Sequence, residues 1–168
     1  MSPADLWSIT PELWLLGLGL GLLVVDLFVP AGRKAAVGLV AVIGLLLAII
    51  PTSPMLSWAP RTVLAGTYAV DGFAVFFKLI ALLATMLVIL AAMDSLGQAT
   101  RFEGEFYALL VFTGLGLMLM AASTDLILLA LAIEYVSLTS YVLAGYLKTN
   151  PKSNEAGVKY FLYGAAAS

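Results

Sequence analysis

The residue in this sequence with the clearest capacity for chemistry is a carboxylate inside a long apolar run, Glu134. It stands nine residues after Asp125, about 13 Å along a helix, and therefore close to the middle of a hydrocarbon core about 30 Å thick. A charge at that depth costs about 2.5–3.5 kcal/mol even on insertion-based scales. Ser137 and Tyr141 share its helix face. The position favours proton handling; the structural alternative is a protonated carboxyl satisfied by a hydroxyl of a neighbouring helix.

Two lysines stand inside other apolar runs. Lys78 lies five residues after Phe73 in the third run, and Lys159 lies about one and a half turns into the last one. A lysine at either depth can exchange protons, or it can extend its ammonium group to the membrane surface while its stem stays in hydrocarbon. Position alone leaves both interpretations open for both residues.

The remaining acidic residues near helix ends favour structural roles. Asp71 precedes the third run and is typical of a helix cap. Asp26 lies near the basic pair Arg33 and Lys34, which predicts an interfacial ion pair. Glu12 follows Pro11 at the start of the first run, where a carboxylate suits a helix N-terminus.

The composition is that of a membrane protein. Of 168 residues, 62% are hydrophobic and only 11% are charged, against roughly a quarter charged in soluble domains. Disordered and nucleic-acid-binding chains are thereby excluded. The sequence has no cysteine and no histidine, which excludes thiolate-bound iron–sulfur clusters, Cys/His zinc sites, histidine-ligated haem and Ser-His-Asp catalysis in this chain.

The elements that must position these side chains are membrane-spanning helices in a single all-α domain, residues 1–168. Polar or proline-containing breaks separate five apolar runs long enough to span, and the segment from Thr52 to Val70 is typical of a loop at the membrane surface. The predicted spans are Glu12–Val29, Ala35–Ile50, Phe73–Met93, Phe106–Ala122 and Leu126–Leu147.

A sixth helix begins at Asn154-Glu155 and continues over Ala156–Ser168. Its 13 or so residues reach about 20 Å, less than a bilayer core, so we expect a truncated helix in the N-terminal portion of a longer subunit. Loops on one side hold five basic residues and those on the other side hold only Arg61, which predicts that the N-terminus lies outside. The five basic residues are Arg33, Lys34, Arg101, Lys148 and Lys152.

Small residues in the spans predict close helix packing. Gly17 and Gly21 form a G-x-x-x-G pair in the first span, and Gly114 and Gly116 lie in the fourth. With no strand before it, the first pair does not fit a dinucleotide-binding turn. The sequence contains no cluster with metal-ligand spacing, so no metal site is predicted.

Longer motifs then carry a family resemblance. The run from Glu134 to Lys148 (EYVSLTSYVLAGYLK) and the run from Pro151 to Ser168 (PKSNEAGVKYFLYGAAAS) resemble subunit N of the NADH–quinone oxidoreductases, called subunit 2 in chloroplasts and mitochondria. The segment from Val70 to Lys78 (VDGFAVFFK) and the pair Pro11-Glu12 extend the resemblance over nearly the whole chain.

The resemblance implies an antiporter-like subunit of the membrane arm of respiratory complex I, in a cell inner or plasma membrane. It assigns proton transfer to Glu134 and Lys159. Lys78 is a further candidate for proton transfer on the basis of its position in the third run. It also implies other membrane-arm subunits and the lipid bilayer as partners. NADH, FMN, iron–sulfur clusters and quinone are implied for the complex, and no cofactor is expected on this chain.

Two other interpretations remain open. A subunit of a multi-subunit cation/proton antiporter has related helices but receives no electrons. A non-catalytic membrane scaffold would use its buried charges structurally and would pack its small-residue helices against partners. Replacement of Glu134 by Gln should abolish proton pumping in a pump subunit, whereas in a scaffold it should impair assembly.

Overall fold

A computed structural model gives the positions of residues 3–30, 33–96, 100 and 102–167. They form seven helices and one hairpin. The helices are α1 (Pro3–Ser8), α2 (Thr10–Phe28), α3 (Ala35–Thr52), α4 (Gly72–Leu96), α5 (Glu103–Ala122), α6 (Leu126–Ala144) and α7 (Pro151–Ala167). Between α3 and α4 lie a 3₁₀ turn, Ser53–Ser57, and the strands β1 (Arg61–Val63) and β2 (Tyr68–Val70).

Five of these helices are long and apolar enough to cross a membrane: α2, α3 with its 3₁₀ extension, α4, α5 and α6. The sequence prediction of five spans in an all-α bundle is therefore confirmed, with boundaries mostly within three residues. The largest differences are three residues each. They occur where α4 ends at Leu96 rather than Met93, α5 begins at Glu103 rather than Phe106, α6 ends at Ala144 rather than Leu147, and α7 begins at Pro151 rather than Asn154. Arg101 and Ser168 lie outside the described residues.

Helix α5 is the centre of the bundle, because α2, α3, α4 and α6 all pack against it. Its small residues allow close approach: the Cα of Gly114 faces Thr85 of α4, and Gly116 faces Tyr135 and Val136 of α6. An apolar core fills the space between α2, α3, α4 and α5, including Leu15, Leu45, Ile89 and Val111. In hydrocarbon such packing replaces the hydrophobic effect as the force that holds helices together.

The surface loop predicted between the second and third spans contains a short antiparallel hairpin. Val63 pairs with Tyr68 across a turn in which Leu64, Ala65 and Gly66 have positive φ. The hairpin covers one end of the bundle, where Thr124 of the α5–α6 turn donates hydrogen bonds to the carbonyls of Thr67 and Gly66. Hydropathy did not predict this element, which encloses a buried lysine of α4.

Candidate functional site

Lys78, the seventh residue of α4, is completely buried. Its ammonium group lies 2.9 Å from Oε1 of Glu12, donates a hydrogen bond of 2.6 Å to the Tyr68 hydroxyl, and sits 4.6 Å from the centre of the Tyr68 ring. Of the two open interpretations, extension to the membrane surface is therefore wrong for this residue. The lysine is held inside the protein by a carboxylate and an aromatic face, which is how buried cations are usually stabilised.

Glu12, the partner of Lys78, is only 5% exposed. The sequence analysis assigned this carboxylate a helix N-terminal role and did not predict its pairing with Lys78. A usable signal was present, however: α2 and α4 run in the same direction, and the two residues stand near the starts of their helices, so they lie at similar depths. Lys78 reaches Oε1 of Glu12 at ion-pair distance, and both oxygens of this carboxylate are buried.

Tyr68 joins this pair to the hairpin. It is 1% exposed on β2, and its backbone bridges to Ser123 at the end of α5. Burial raises the pKa of the Tyr68 phenol far above its ordinary value, and the negative charge of Glu12 adds to the rise. The hydroxyl therefore stays protonated, so it accepts a hydrogen bond from Lys78 and keeps its own proton available to a neighbouring acceptor.

Glu134 is the ninth of nineteen residues in α6, so its position near the middle of a span agrees with the sequence expectation. Its side chain is exposed, and of all residues in α6 only Ala132 is buried. Helix α6 packs against α5 through small and polar residues, and the hydroxyls of Thr113 and Thr139 form a hydrogen bond of 3.0 Å across this contact. No other described element packs against the face of α6 that carries Glu134.

Lys159 lies on α7, whose residues are all partly or fully exposed. It forms an ion pair with Glu155, one turn earlier. Because α7 starts at Pro151, Lys159 is its ninth residue and lies deeper along the helix than the sequence predicted. Helices α6 and α7 pack through Gly145 against Gly157, and Tyr141 packs edge-on against Tyr160.

The sequence-predicted residues are thus not brought together. Lys78 pairs with Glu12 and Lys159 with Glu155, while Glu134 makes no ion pair or side-chain hydrogen bond within the described part of the chain. The three candidates are instead spread over the depth of the bundle, with Lys78 near the hairpin end and Glu134 near the middle.

Two structural roles expected from the sequence are observed. The Asp71 carboxylate accepts a hydrogen bond of 2.7 Å from the backbone N–H of Ala74, as a helix cap does. Asp26 pairs with Lys34 at 2.6 Å at the opposite end of the bundle, where Gly104 leaves room for the carboxylate. Among the described residues no atom lies close to Gly17 or Gly21, so the close packing expected there is not observed; Gly19 between them makes a close contact, against Phe112.

The chain is similar to named subunits of quinone-linked membrane enzymes. The family model described as "NADH:quinone oxidoreductase/Mrp antiporter, TM" matches residues 123–168. Proteins named NADH-quinone oxidoreductase subunit N from Rhodospirillum rubrum and Trichlorobacter lovleyi are 41% and 40% identical over 94% of this chain. Subunit N 2 of Chloroherpeton thalassium is 38% identical over 96%.

Among solved structures, a chain of respiratory complex I from Thermus thermophilus with bound aureothin superposes with a TM-score of 0.73 and 29% identity. That match covers 94% of this chain and 33% of the Thermus chain. The chain likewise spans about a third of the length of the curated relatives, between 32% and 33% for the three proteins from Rhodospirillum, Trichlorobacter and Chloroherpeton.

Proposed function

We propose that this chain, a relative of subunit N of the NADH-quinone oxidoreductases, works as part of a subunit that carries protons across the membrane while quinone is reduced elsewhere in the same complex. Its similarity to those subunits extends along nearly its whole length. The activity, the substrates and the partners of the complete enzyme are part of this proposal, since the chain spans only a third of its relatives.

The observation that carries the proposal is the position of Glu134. A carboxyl group in the middle of a span and on an uncovered face would meet lipid, at a cost of about 2.5–3.5 kcal/mol on insertion-based scales. Such groups face protein or water in membrane proteins. We infer that further protein, within the subunit or from a neighbouring membrane-arm subunit, covers this face and encloses Glu134 in a polar path.

In this path Glu134 binds and releases a proton, and the charge of a nearby lysine controls which state it favours. An ammonium group within several ångströms stabilises the carboxylate, and desolvation opposes it. Lys159 is the lysine that the family resemblance assigns to this role. Its ion pair with Glu155 is exposed, so breaking it costs little free energy,. Lys78 is a further candidate.

The chain supplies no redox chemistry to this scheme. It contains no cysteine or histidine to hold an iron–sulfur cluster,, and the family resemblance assigns NADH, FMN, iron–sulfur clusters and quinone to the complex as a whole. The cell inner or plasma membrane is the proposed location, with several membrane-arm subunits as neighbours.

Replacement of Glu134 by Gln tests the proposal. The change keeps the size of the side chain and removes its titration, so NADH-driven proton uptake by inverted membrane vesicles should fall by at least severalfold while the complex still assembles. Asp94→Asn is the matched control, because Asp94 is an exposed carboxylate near the end of α4, and its proton uptake should equal that of the parent.

Normal pumping by an assembled Glu134→Gln complex would refute the role of this carboxylate. Loss of assembly with normal pumping per assembled complex would support the scaffold function instead. A cation/proton antiporter subunit is a second candidate, favoured by the match of residues 123–168 to a family that includes such antiporters. In that case proton movement would follow an imposed sodium gradient and would not respond to NADH.

A further inference from the structure

An apolar cavity of about 230 Å³ lies between α2 and α6, at the hairpin end of the bundle. Helices α2 and α6 both pack against α5, and the cavity is the gap that they leave beside the hairpin turn. Its walls include Leu16 of α2, Leu64 of the turn and Leu128 of α6. Leu16 and Leu64 are 41% and 38% exposed, so the cavity opens onto the outer surface of the bundle.

The position and the lining of the cavity fit a hydrocarbon chain. Its walls on α2 belong to the first two turns, within about 10 Å of the start of the span,, so the cavity lies inside one leaflet of the bilayer. Glu12 and Tyr68 also line it, but their oxygen atoms contact Lys78. Water is not stable in an apolar cavity, and an empty one costs its walls dispersion contacts, which a lipid acyl chain restores.

A positively charged side chain stands at the edge of this cavity. Nη2 of Arg61 on β1 donates a hydrogen bond of 2.9 Å to Oγ of Ser8. The residue after Ser8 is Ile9, which lines the cavity, as does Leu64 at the end of the hairpin strand that carries Arg61. Arg61 is exposed, and it forms no ion pair with a carboxylate among the described residues.

Tryptophan rings place Arg61 at the level of the lipid headgroups. Its guanidinium group lies 4.5 Å from the centre of the Trp58 ring, and Trp7, which precedes the hydrogen-bonded Ser8, is 68% exposed. Tryptophan is enriched where a membrane meets water. A guanidinium group at that level, without a carboxylate partner, is suited to a phosphate, which it binds through paired hydrogen bonds.

We propose that Arg61 and the cavity bind one anionic phospholipid, whose phosphate contacts the guanidinium group and whose acyl chain fills the space between Leu16, Leu64 and Leu128. An anionic headgroup is favoured because it carries no ammonium group of its own to compete with Arg61 for the phosphate. This site goes beyond the proposed function, since it carries no proton, and lipid binding can be measured without NADH or transport.

The test is photolabelling of the assembled complex with phosphatidylglycerol that carries a diazirine in one acyl chain. The label should attach to peptides that contain Leu16 or Leu128, and an excess of unlabelled phosphatidylglycerol, but not of phosphatidylcholine, should prevent this. Arg61→Gln should reduce the labelling severalfold, and so should Leu128→Trp, which fills the cavity. Arg33→Gln is the matched control, because Arg33 is an exposed arginine at the opposite end of the bundle, and its labelling should equal that of the parent.

Equal labelling of these peptides by diazirine forms of phosphatidylglycerol and phosphatidylcholine would overturn the proposal, because it would indicate ordinary boundary lipid. Unchanged labelling of an assembled Arg61→Gln complex would overturn it too. Peptides that stay unlabelled in the parent would mean that other protein covers the cavity, which also contradicts the proposal. If Arg61→Gln does not assemble, the comparison of the two lipids on the parent still decides the matter.

Discussion

Replacement of Lys78 by Met should destabilise this protein far more than the removal of any surface charge. At a separation of 2.9 Å, the attraction between Lys78 and Glu12 is about 6 kcal/mol for an effective dielectric constant of about 20. Desolvation of the two ions costs several kcal/mol each and offsets most of this gain. The variant loses the attraction but keeps the buried carboxylate, so we expect the free energy of unfolding to fall by about 3–5 kcal/mol.

A double-mutant cycle separates this pair from simple packing. Glu12→Met alone leaves a buried ammonium group and should cost a similar amount, whereas the double variant replaces both ions by apolar side chains of similar size. Because such replacements are often neutral or stabilising, the double variant should be more stable than either single variant. Equilibrium unfolding of the purified protein in mixed micelles measures all four free energies.

The exposed pair of Lys159 and Glu155 is the matched control. Its atoms are at least as close, but the side chains are 63% and 62% exposed, and helical pairs of this spacing contribute only about 0.3–0.5 kcal/mol. Simple additivity of the Glu12 and Lys78 variants in the double variant would refute the reasoning, because it would mean that the two buried charges do not stabilise each other. A cost of Lys78→Met no larger than that of Lys159→Met would refute it equally.

Two smaller predictions concern packing and pH. Gly19→Ala places a Cβ about 2.5 Å from the ring of Phe112 and should cost about 1–3 kcal/mol, whereas Gly17→Ala meets open space and should be neutral or slightly stabilising in the same unfolding assay. Burial raises the pKa of Tyr68, so folding is favoured while the phenol is protonated, and stability should fall as the pH rises above about 10, where the unfolded phenol ionises. Tyr68→Phe should remove that part of the alkaline loss; an unchanged profile would contradict the assignment.

The helices could be predicted from the sequence because the bilayer fixes their length and composition. Five apolar runs bounded by polar or proline-containing breaks have few alternative structures, and the boundaries of α3 and α4 agree with the predicted ones within a few residues,. The hairpin could not be predicted, since its strands have three residues each and depend on contacts with Ser123 and Thr124, which are distant in sequence.

The same hairpin explains why the site was only partly predictable. From its position in α4, Lys78 could have extended its ammonium group to the membrane surface. In the structure, the ammonium group instead contacts the hydroxyl of Tyr68 on β2 and the carboxylate of Glu12. Glu134 was correctly placed near mid-helix. Within the described residues Glu134 has no ion-pair or hydrogen-bond partner. Which surfaces of α6 other elements cover decides this, and helix periodicity carries no information about it.

Isolation of the particle that contains this chain, followed by reconstitution into liposomes, tests the function most directly. The particle should contain flavin and iron–sulfur subunits, and addition of NADH and a quinone should drive proton uptake or release at a fixed ratio to NADH oxidised. A particle that lacks redox subunits, or one that oxidises NADH without moving protons, would contradict a role for this chain in a redox-driven proton pump.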